Sequence, residues 1–439
     1  MFSFGPIHYG KRKLLFAEKL KLKLAHHFIK LNDISQPNLL QEIDTNLGWL
    51  KSCYDQHVIN IRDEELAGMF LIDGCSSVHL IYCIVHDAKQ VLMQERFLRL
   101  LGIKKDHEAF AQHDLFLLEN QLPYHLMNMV ITRADPGRSY RQAIMEFLRL
   151  NLMVIGEELP IKSFHDEDTS NVEDATILHV LEDEQPCHLL DLLRQRLIVK
   201  VKDERTQIGE ISSYLSRVCS YVQKSVSRKL SSGIHGSAKR EISDHGRHHE
   251  ASMIHEWQSF RSVSELIASG VRFRPSKKLS LRNVCFQGFW FLATLKLPRL
   301  IVDDWTPPKL FNLVAYEMCP DFENDSEVIS FVSLLDSLID DKEDVKELRK
   351  AGILQNALGN DQEVANLFNE IAENLAANPE MYIYEIKRLE SRYNSKIRTA
   401  VAQFIHNHFN SPWTFLALIG VLVGLGLSLI QTIYTVYPV

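Results

Sequence analysis

No Cys-x-x-Cys pair occurs in this 439-residue chain, although it has seven cysteines, at 53, 75, 83, 187, 219, 285 and 319. That spacing suggests neither a zinc site nor a disulfide framework, and the odd number fits reduced, mostly buried thiols in a cytosol-facing body. A basic excess is missing too. The net charge is −7, so the chain lacks the electrostatic footprint of a nucleic-acid binder, and nucleic acid is not an expected partner. There is no secretory signal, because Met1 to Gly10 carries no charge and the following KRKLLFAEKLKLKLAHHFIK interleaves lysines with leucines. Neither Gly-x-Ser-x-Gly nor His-Glu-x-x-His is found. No fixed-period repeat is visible, which argues against a solenoid.

The last absence is the most informative. From Thr399 to Val439 the chain has no Lys, Arg, Asp or Glu. Within this stretch Trp413 to Tyr434 reads WTFLALIGVLVGLGLSLIQTIY, which as a helix is ~33 Å long and spans the ~30 Å hydrocarbon core of a bilayer. Ser411 can cap that helix and Pro412 fits its first turn, where no amide hydrogen is missed. Trp413 falls at one membrane interface, with Tyr434 and Tyr437 at the other. A buried core helix would show a polar residue earlier than Gln431. Gly420, Gly424 and Ser428 recur every four residues, a small-residue strip on which a second helix can pack, from another copy or another protein.

What remains is the composition of a folded protein, with 46% hydrophobic and 24% charged residues. Its length suits two soluble subdomains and an anchor. Helical spacing is seen at Leu39, Leu40, Ile43, Leu47 and Leu50, and at Met69, Phe70, Ile81, Ile84 and Val85 around a polar break, the pair Asp73 and Gly74. It recurs over Phe116–Ile131, Tyr140–Leu152, Cys187–Val201 and Ile208–Val226. This helical N-terminal subdomain covers 1–226, and a linker rich in Ser, Gly, His and charge covers 227–261. Ser262 opens a short helix with capping-box spacing. Val271 to Val302 reads as strands, and helices resume at Thr306, Val328–Ile339, Val345–Leu354, Val364–Leu375 and from Tyr382 to Phe404. The C-terminal subdomain is 262–408 and the anchor 409–439. The expected fold is mainly α (α+β): a helical soluble body with one small antiparallel sheet, plus a single C-terminal transmembrane helix.

Candidate chemistry is sparse. Gly5 to Lys11 imitates a phosphate loop, but Arg12 supplies no hydroxyl for Mg²⁺ and no strand can precede it. His245, His248, His249 and His255 lie in the linker without cysteine or supporting ligands. His86-Asp87 and His113-Asp114 are sequence neighbours, which point ~100° apart on a helix and build no dyad. The acidic stretch Asp340, Asp341, Glu343, Asp344 and Glu347 lacks calcium-loop spacing and reads as a solvated helix face. Glu119, Asn120 and Gln121 follow an apolar run and, if buried, must find partners, which the pattern places on backbone groups at a helix end. The sequence thus names no catalytic, cofactor-binding or metal-binding residue. An enzyme would have to assemble its site from separated carboxylates such as Asp73, Glu119, Asp303 and Asp304.

Read in order, several segments resemble the plant family known as domain of unknown function 247, or uncharacterised protein family 0481. They are FGPIHYG near the start, MFLIDGC at 69–75, HDLFLLENQLPY at 113–124 and HLLDLLR at 188–194. SVSELIASGVRF at 262–273, LPRLIVDDWTPPKLFNLVAYE at 297–317, LGNDQEVANLFNEI at 358–371 and the QTIYTVY end of the anchor complete the series. Members usually begin with a further basic and apolar segment, which is absent here. The resemblance implies no catalytic residues. It does imply a partner-directed role, since some grass members are pollen-side determinants of self-incompatibility, and nothing in the sequence assigns this chain to such a locus. The expectation is a non-catalytic, membrane-tethered interaction protein, with the bilayer and an unidentified protein as partners and no cofactor. Lys387, Arg388, Arg392, Lys396 and Arg398 precede the anchor and no basic residue follows it. The positive-inside rule therefore places the body in the cytosol, and the short tail suggests post-translational, tail-anchored insertion.

Overall fold

The computed structural model describes residues 2–55, 57, 59, 61–88, 102, 105–134, 138–155, 186–199, 262–289, 292–322, 326–373, 375, 381–393, 420–421, 423–428 and 431. Met1–Ile198 and Arg261–Val439 form one compact unit. The second, Val199–Phe260, lies outside the described residues apart from Val199, and with it the expected helix at 208–226, the linker and its four histidines.

A single long helix organises the N-terminal part. Helix α1 (Leu15–Leu31), α2 (Gln36–Thr45) and α3 (Leu47–Ser52) lead to α4 (Asp63–Ala88). Leu66, Met69, Phe70, Val78, Leu80, Ile81, Ile84 and Val85 of α4 are all buried, so this helix is apolar around most of its circumference and sits in the core. It packs against α1, α2, α6 (Tyr124–Ala134) and α7 (Arg138–Asn151). Among the described helices α4 alone is long and apolar enough to cross a membrane, but 83% of its most apolar window is buried inside the protein. It is a core helix. The polar pair in its middle does not interrupt it. Gly74 gives close approach to α6, since a Cβ there would lie 3.1 Å from Val130 Cγ2 and 3.4 Å from Leu126 Cγ.

The helical reading of Phe116–Ile131 needs correction. Helix α5 (Lys105–Asp114) is followed by a 3₁₀ turn at Leu118–Asn120, and α6 starts only at Tyr124. Side chains of Asn120 and Gln121 take the carbonyls of Asp114, Leu115 and Leu117, and Pro123 supplies no N–H to continue the helix. Helices α8 (Leu189–Leu197) and α9 (Val263–Ala268) follow, the latter capped by Ser262 Oγ as the spacing predicts.

The sheet structure is richer than one antiparallel sheet. Strands β2 (Val271–Pro275), β3 (Cys285–Phe289) and β4 (Leu292–Leu297) form a mixed sheet in the order β2-β4-β3. The β3–β4 pair is antiparallel and the β2–β4 pair parallel, with Phe273 opposite Leu295. A second mixed sheet joins β1 (Val154–Ile155), β5 (Arg299–Val302) and β6 (Leu354–Asn356) in the order β1-β5-β6. Leu300 is its pivot, antiparallel to Val154 and parallel to Leu354. Strands β1 and β6 are two and three residues long, too short to carry an alternation. The helical pattern assigned to Val345–Leu354 ends at Lys350, and Gly352, at φ +73°, turns the chain into β6.

The C-terminal helices are α10 (Thr306–Glu317), α11 (Glu327–Leu338), α12 (Lys342–Lys350), α13 (Asp361–Ala372) and α14 (Ile383–Tyr393). Helix α12 carries a capping box in which Asp341 accepts from Glu343 and Asp344 N–H groups. The described part of 420–431 is helical. Two glycines of α4 test this packing. Gly68 has nothing within 4 Å of an added Cβ, so Gly68→Ala should stabilise the protein by roughly 0.5–1 kcal/mol through helix propensity. Gly74→Val should cost about 1–3 kcal/mol by overpacking. Chemical unfolding in detergent solution reads both, and equal effects would show that α4 and α6 are not in close contact.

Candidate functional site

The segments that carry the family resemblance meet in space through buried polar side chains. Residues 2–10 cross α4 as a strap. Gly5 adopts a φ of +76°, and its N–H donates to Asp73 Oδ2 at 2.8 Å. Lys21, on the inner face of α1, donates to Asp73 Oδ1 at 2.6 Å and to the Ser3 carbonyl at 2.7 Å. A further contact, at 2.8 Å, joins it to Glu18. The side chains of Lys21 and Asp73 are each only 1% exposed, so neither charge could be carried there without the other. Burial pushes the Asp73 carboxyl up to about 6, against the pull of Lys21 and the Gly5 N–H.

The turn at Glu119, Asn120 and Gln121 locks the same strap from its other side. Asn120 Nδ2 donates to the carbonyls of Phe2 (3.2 Å) and Asp114 (3.0 Å), while Asp114 accepts the Phe2 N–H. Gln121 Nε2 donates to the Leu115 and Leu117 carbonyls at 3.0 and 2.7 Å. Its Oε1 accepts the Leu190 N–H of α8 at 2.9 Å. Tyr54 donates to the Gln121 carbonyl, and Asn312 of α10 accepts the Leu118 N–H. Glu119 turns outward to His8 at 2.9 Å. Two of the three polar residues are thus buried and engaged with backbone, and the third pairs at the surface.

A second buried charge cluster ties α8 to α10 and α11. Arg194 Nε donates to Glu317 Oε1 at 2.6 Å, and the guanidinium stacks 4.7 Å from the Phe322 ring centre. Glu317 also accepts the Val328 and Ile329 N–H groups, at 3.1 and 2.9 Å, at the start of α11. That end of a helix favours a carboxylate. Burial raises the Glu317 pKa, opposed by Arg194. Arg282 pairs with Glu327 beside it. These arginines were not singled out by sequence. Nor was Lys21, although its place among Ala17, Leu20, Leu24 and Phe28 on the buried stripe of α1 was a usable signal.

The four carboxylates proposed for an enzyme occupy different settings. Asp73 is buried with Lys21 and Glu119 is half exposed. Asp303 Oδ1 accepts from Thr306 Oγ1 at 2.7 Å and from the Trp305 N–H at 3.1 Å, closing the turn into α10, and Asp304 is exposed. Within the acidic stretch Asp344 is buried and holds Ser264 by its N–H and hydroxyl, so that face is not wholly solvated. His86 Nδ1 meets the Tyr82 carbonyl, and the His113 ring lies tilted against Trp305 with ring centres 5.4 Å apart. A cavity of about 10 Å³ is lined by apolar groups from Met153, Leu281, Leu300, Phe331 and Phe368, too small for a substrate. Among the described residues no cluster of His, Cys, Asp or Glu could hold a metal.

The cysteines also need correction. Of those described, Cys75 and Cys83 are buried, while Cys53 and Cys187 are exposed and Cys285 and Cys319 intermediate. None of these described cysteines forms a disulfide. The expected interface aromatics Trp413, Tyr434 and Tyr437 lie outside the described residues. Gly420, Gly424 and Ser428 fall on helical backbone, and a Cβ added at either glycine would meet nothing within 4 Å.

His188 supplies a pH test of the site. Its Nδ1 accepts the Asp191 N–H at 3.0 Å as the N-cap of α8, and its ring lies against Tyr316. Enclosure pushes its pKa down to about 4, so the neutral ring is the folded form. The unfolded chain, near 6.5, binds the proton first. Stability from this group is therefore complete above about pH 6.5 and is lost as pH falls towards 4. His188→Asn keeps a capping acceptor without the titration. It should flatten the stability profile between those limits, measured by thermal unfolding against pH. An unchanged slope would remove His188 from the acid response.

The DUF247 family, described as plant protein of unknown function, matches residues 1–427. A UPF0481 protein of Arabidopsis thaliana is 22% identical over 440 residues, 98% of this chain and 80% of the relative. A putative UPF0481 protein of the same plant is also 22% identical, over 483 residues, with 99% and 86% covered. No solved structure matches. With the family match running through both halves of the compact unit and the segments that hold the strap, the chain belongs to the DUF247 family of plant proteins.

Proposed function

We propose that this protein is a membrane-tethered interaction protein without catalytic activity, its body held at the cytosolic face of a bilayer by the helix over 413–434. The observation that carries the reading is the uncharged stretch Thr399–Val439. Where that stretch is described it is helical, and Val421, Val423, Leu425 and Leu427 are each more than half exposed. Each such side chain forgoes ~1.5–3 kcal/mol if left in water, and lipid removes that cost. The face of Gly420 and Gly424 is open, which leaves room for a second helix, from another copy or a partner. The non-catalytic part of the reading is supported by the separate employment of Asp73, Glu119 and Asp303 in pairing, surface contact and turn closure, with Asp304 exposed. A partner-directed role accords with a body whose buried charges hold segments together.

Orientation follows from charge. Lys387, Arg388, Arg392, Lys396 and Arg398 stand on the N-terminal side of the anchor, the side retained in the cytosol. In sealed microsomes the full chain should resist alkaline carbonate extraction while its body is digested by added protease. The Asn324-Asp-Ser326 sequon should remain unglycosylated. A protease-protected body, or a glycan on Asn324, would reverse the orientation, and complete release by carbonate would remove the anchor.

A further inference from the structure

The outer face of α1 carries exposed lysines and exposed apolar side chains together. We infer that this face docks on an anionic lipid surface, an assignment that rests on the tethered reading above and extends it to the body. The inner face of α1 is closed against α4 through Leu20, Lys21, Leu24 and Phe28. Its outer face is not closed among the described residues. Leu15, Phe16 and Leu22 are each more than half exposed there. Interleaved with them are Arg12, Lys13, Lys19, Lys23 and Lys30, all exposed. The only acid in α1, Glu18, turns to Lys21 and not to this face. Residues 15, 16, 19, 22, 23 and 30 of α1 fall within about a third of the helix circumference at ~100° per residue, and Arg12 and Lys13 stand in the 3₁₀ turn Arg12–Leu14 that leads into it.

A chain of net charge −7 has therefore gathered cations on one helical face together with bare leucine and phenylalanine side chains. That combination has a specific complement. Phospholipid headgroups neutralise the lysines while the apolar side chains enter the headgroup and acyl boundary. A nucleic acid would use the charge and leave Leu15, Phe16 and Leu22 in water. Tethering makes the contact intramolecular in effect, so even a weak face is occupied at the high local concentration of lipid.

The experiment reads the lysines directly. The full chain is reconstituted into phosphatidylcholine vesicles with or without phosphatidylserine, and the acetylation rate of each lysine is measured by mass spectrometry. Lys13, Lys19, Lys23 and Lys30 should be modified several-fold more slowly with phosphatidylserine, and high salt should restore the rates. Exposed Lys342 on α12 should react equally in both. A Lys19→Glu, Lys23→Glu variant, with unchanged circular dichroism, should lose the lipid-dependent protection at Lys13 and Lys30. Equal rates in the two vesicles would overturn the assignment. So would protection by added RNA or polyglutamate when phosphatidylserine gives none. The anchor is scored separately by flotation after alkaline carbonate. Protein that floats only with phosphatidylserine and is released by salt would refute the anchor while upholding the α1 face.

Discussion

Lys21 and Asp73 are the constraint around which the N-terminal half is arranged. Each is fully buried and each is tolerable only because the other is present. The pair joins α1 to the middle of α4, and its remaining hydrogen-bonding capacity is filled by Ser3 and Gly5 of the strap. The strap therefore does more than cover the core. It completes the coordination of two charges, so the path of residues 2–10 follows from the need to leave neither unsatisfied. Asn120 and Asp114 then hold the strap at Phe2, and Gln121 passes the connection to α8. From α8 the Arg194–Glu317 pair continues it into α10 and α11.

Much of this was legible in the chain, and the failures have physical reasons. The periodicities that predict α2, α3, α7 and α13 are those of helices with one buried stripe, whereas α11 is buried on most sides. Asp73 read as a polar pair in an apolar segment because its partner lies 52 residues away. The spacing of Ala17, Leu20, Leu24 and Phe28 marks Lys21 as the inward lysine of KLKLK, but it does not name Asp73 as the partner. Glu119, Asn120 and Gln121 were recognisable as residues that must find backbone partners. Their place at a helix end was recognisable too, but the delay of the next helix to Tyr124 was not, because it needs Pro123 and three carbonyls at once. The second sheet was invisible for a different reason. Strands of two and three residues have no period, and Val154 finds Leu300 only through the fold.

The buried charges and the exposed ones divide the labour of this molecule. Inside, Lys21, Asp73, Arg194 and Glu317 fix segments relative to one another, and the carboxylates named for catalysis are occupied in pairs, turns or surface contacts. Outside, cations collect on α1, and Lys387 and Arg388 are exposed on α14, while the chain as a whole is acidic. The buried pairs hold segments of the fold together, while the uncharged stretch Thr399–Val439 sets the C-terminal end apart in composition from the rest of the chain.

The most direct test of the account is a double-mutant cycle on Lys21→Met and Asp73→Asn, read by chemical unfolding of the full chain in detergent. Each single substitution should cost about 3–5 kcal/mol, because it strands the other group in a dry interior. The double variant should cost much less than their sum. Small and additive losses, below about 1 kcal/mol each, would contradict it. They would mean that the two side chains are solvated and that the strap is held by something else.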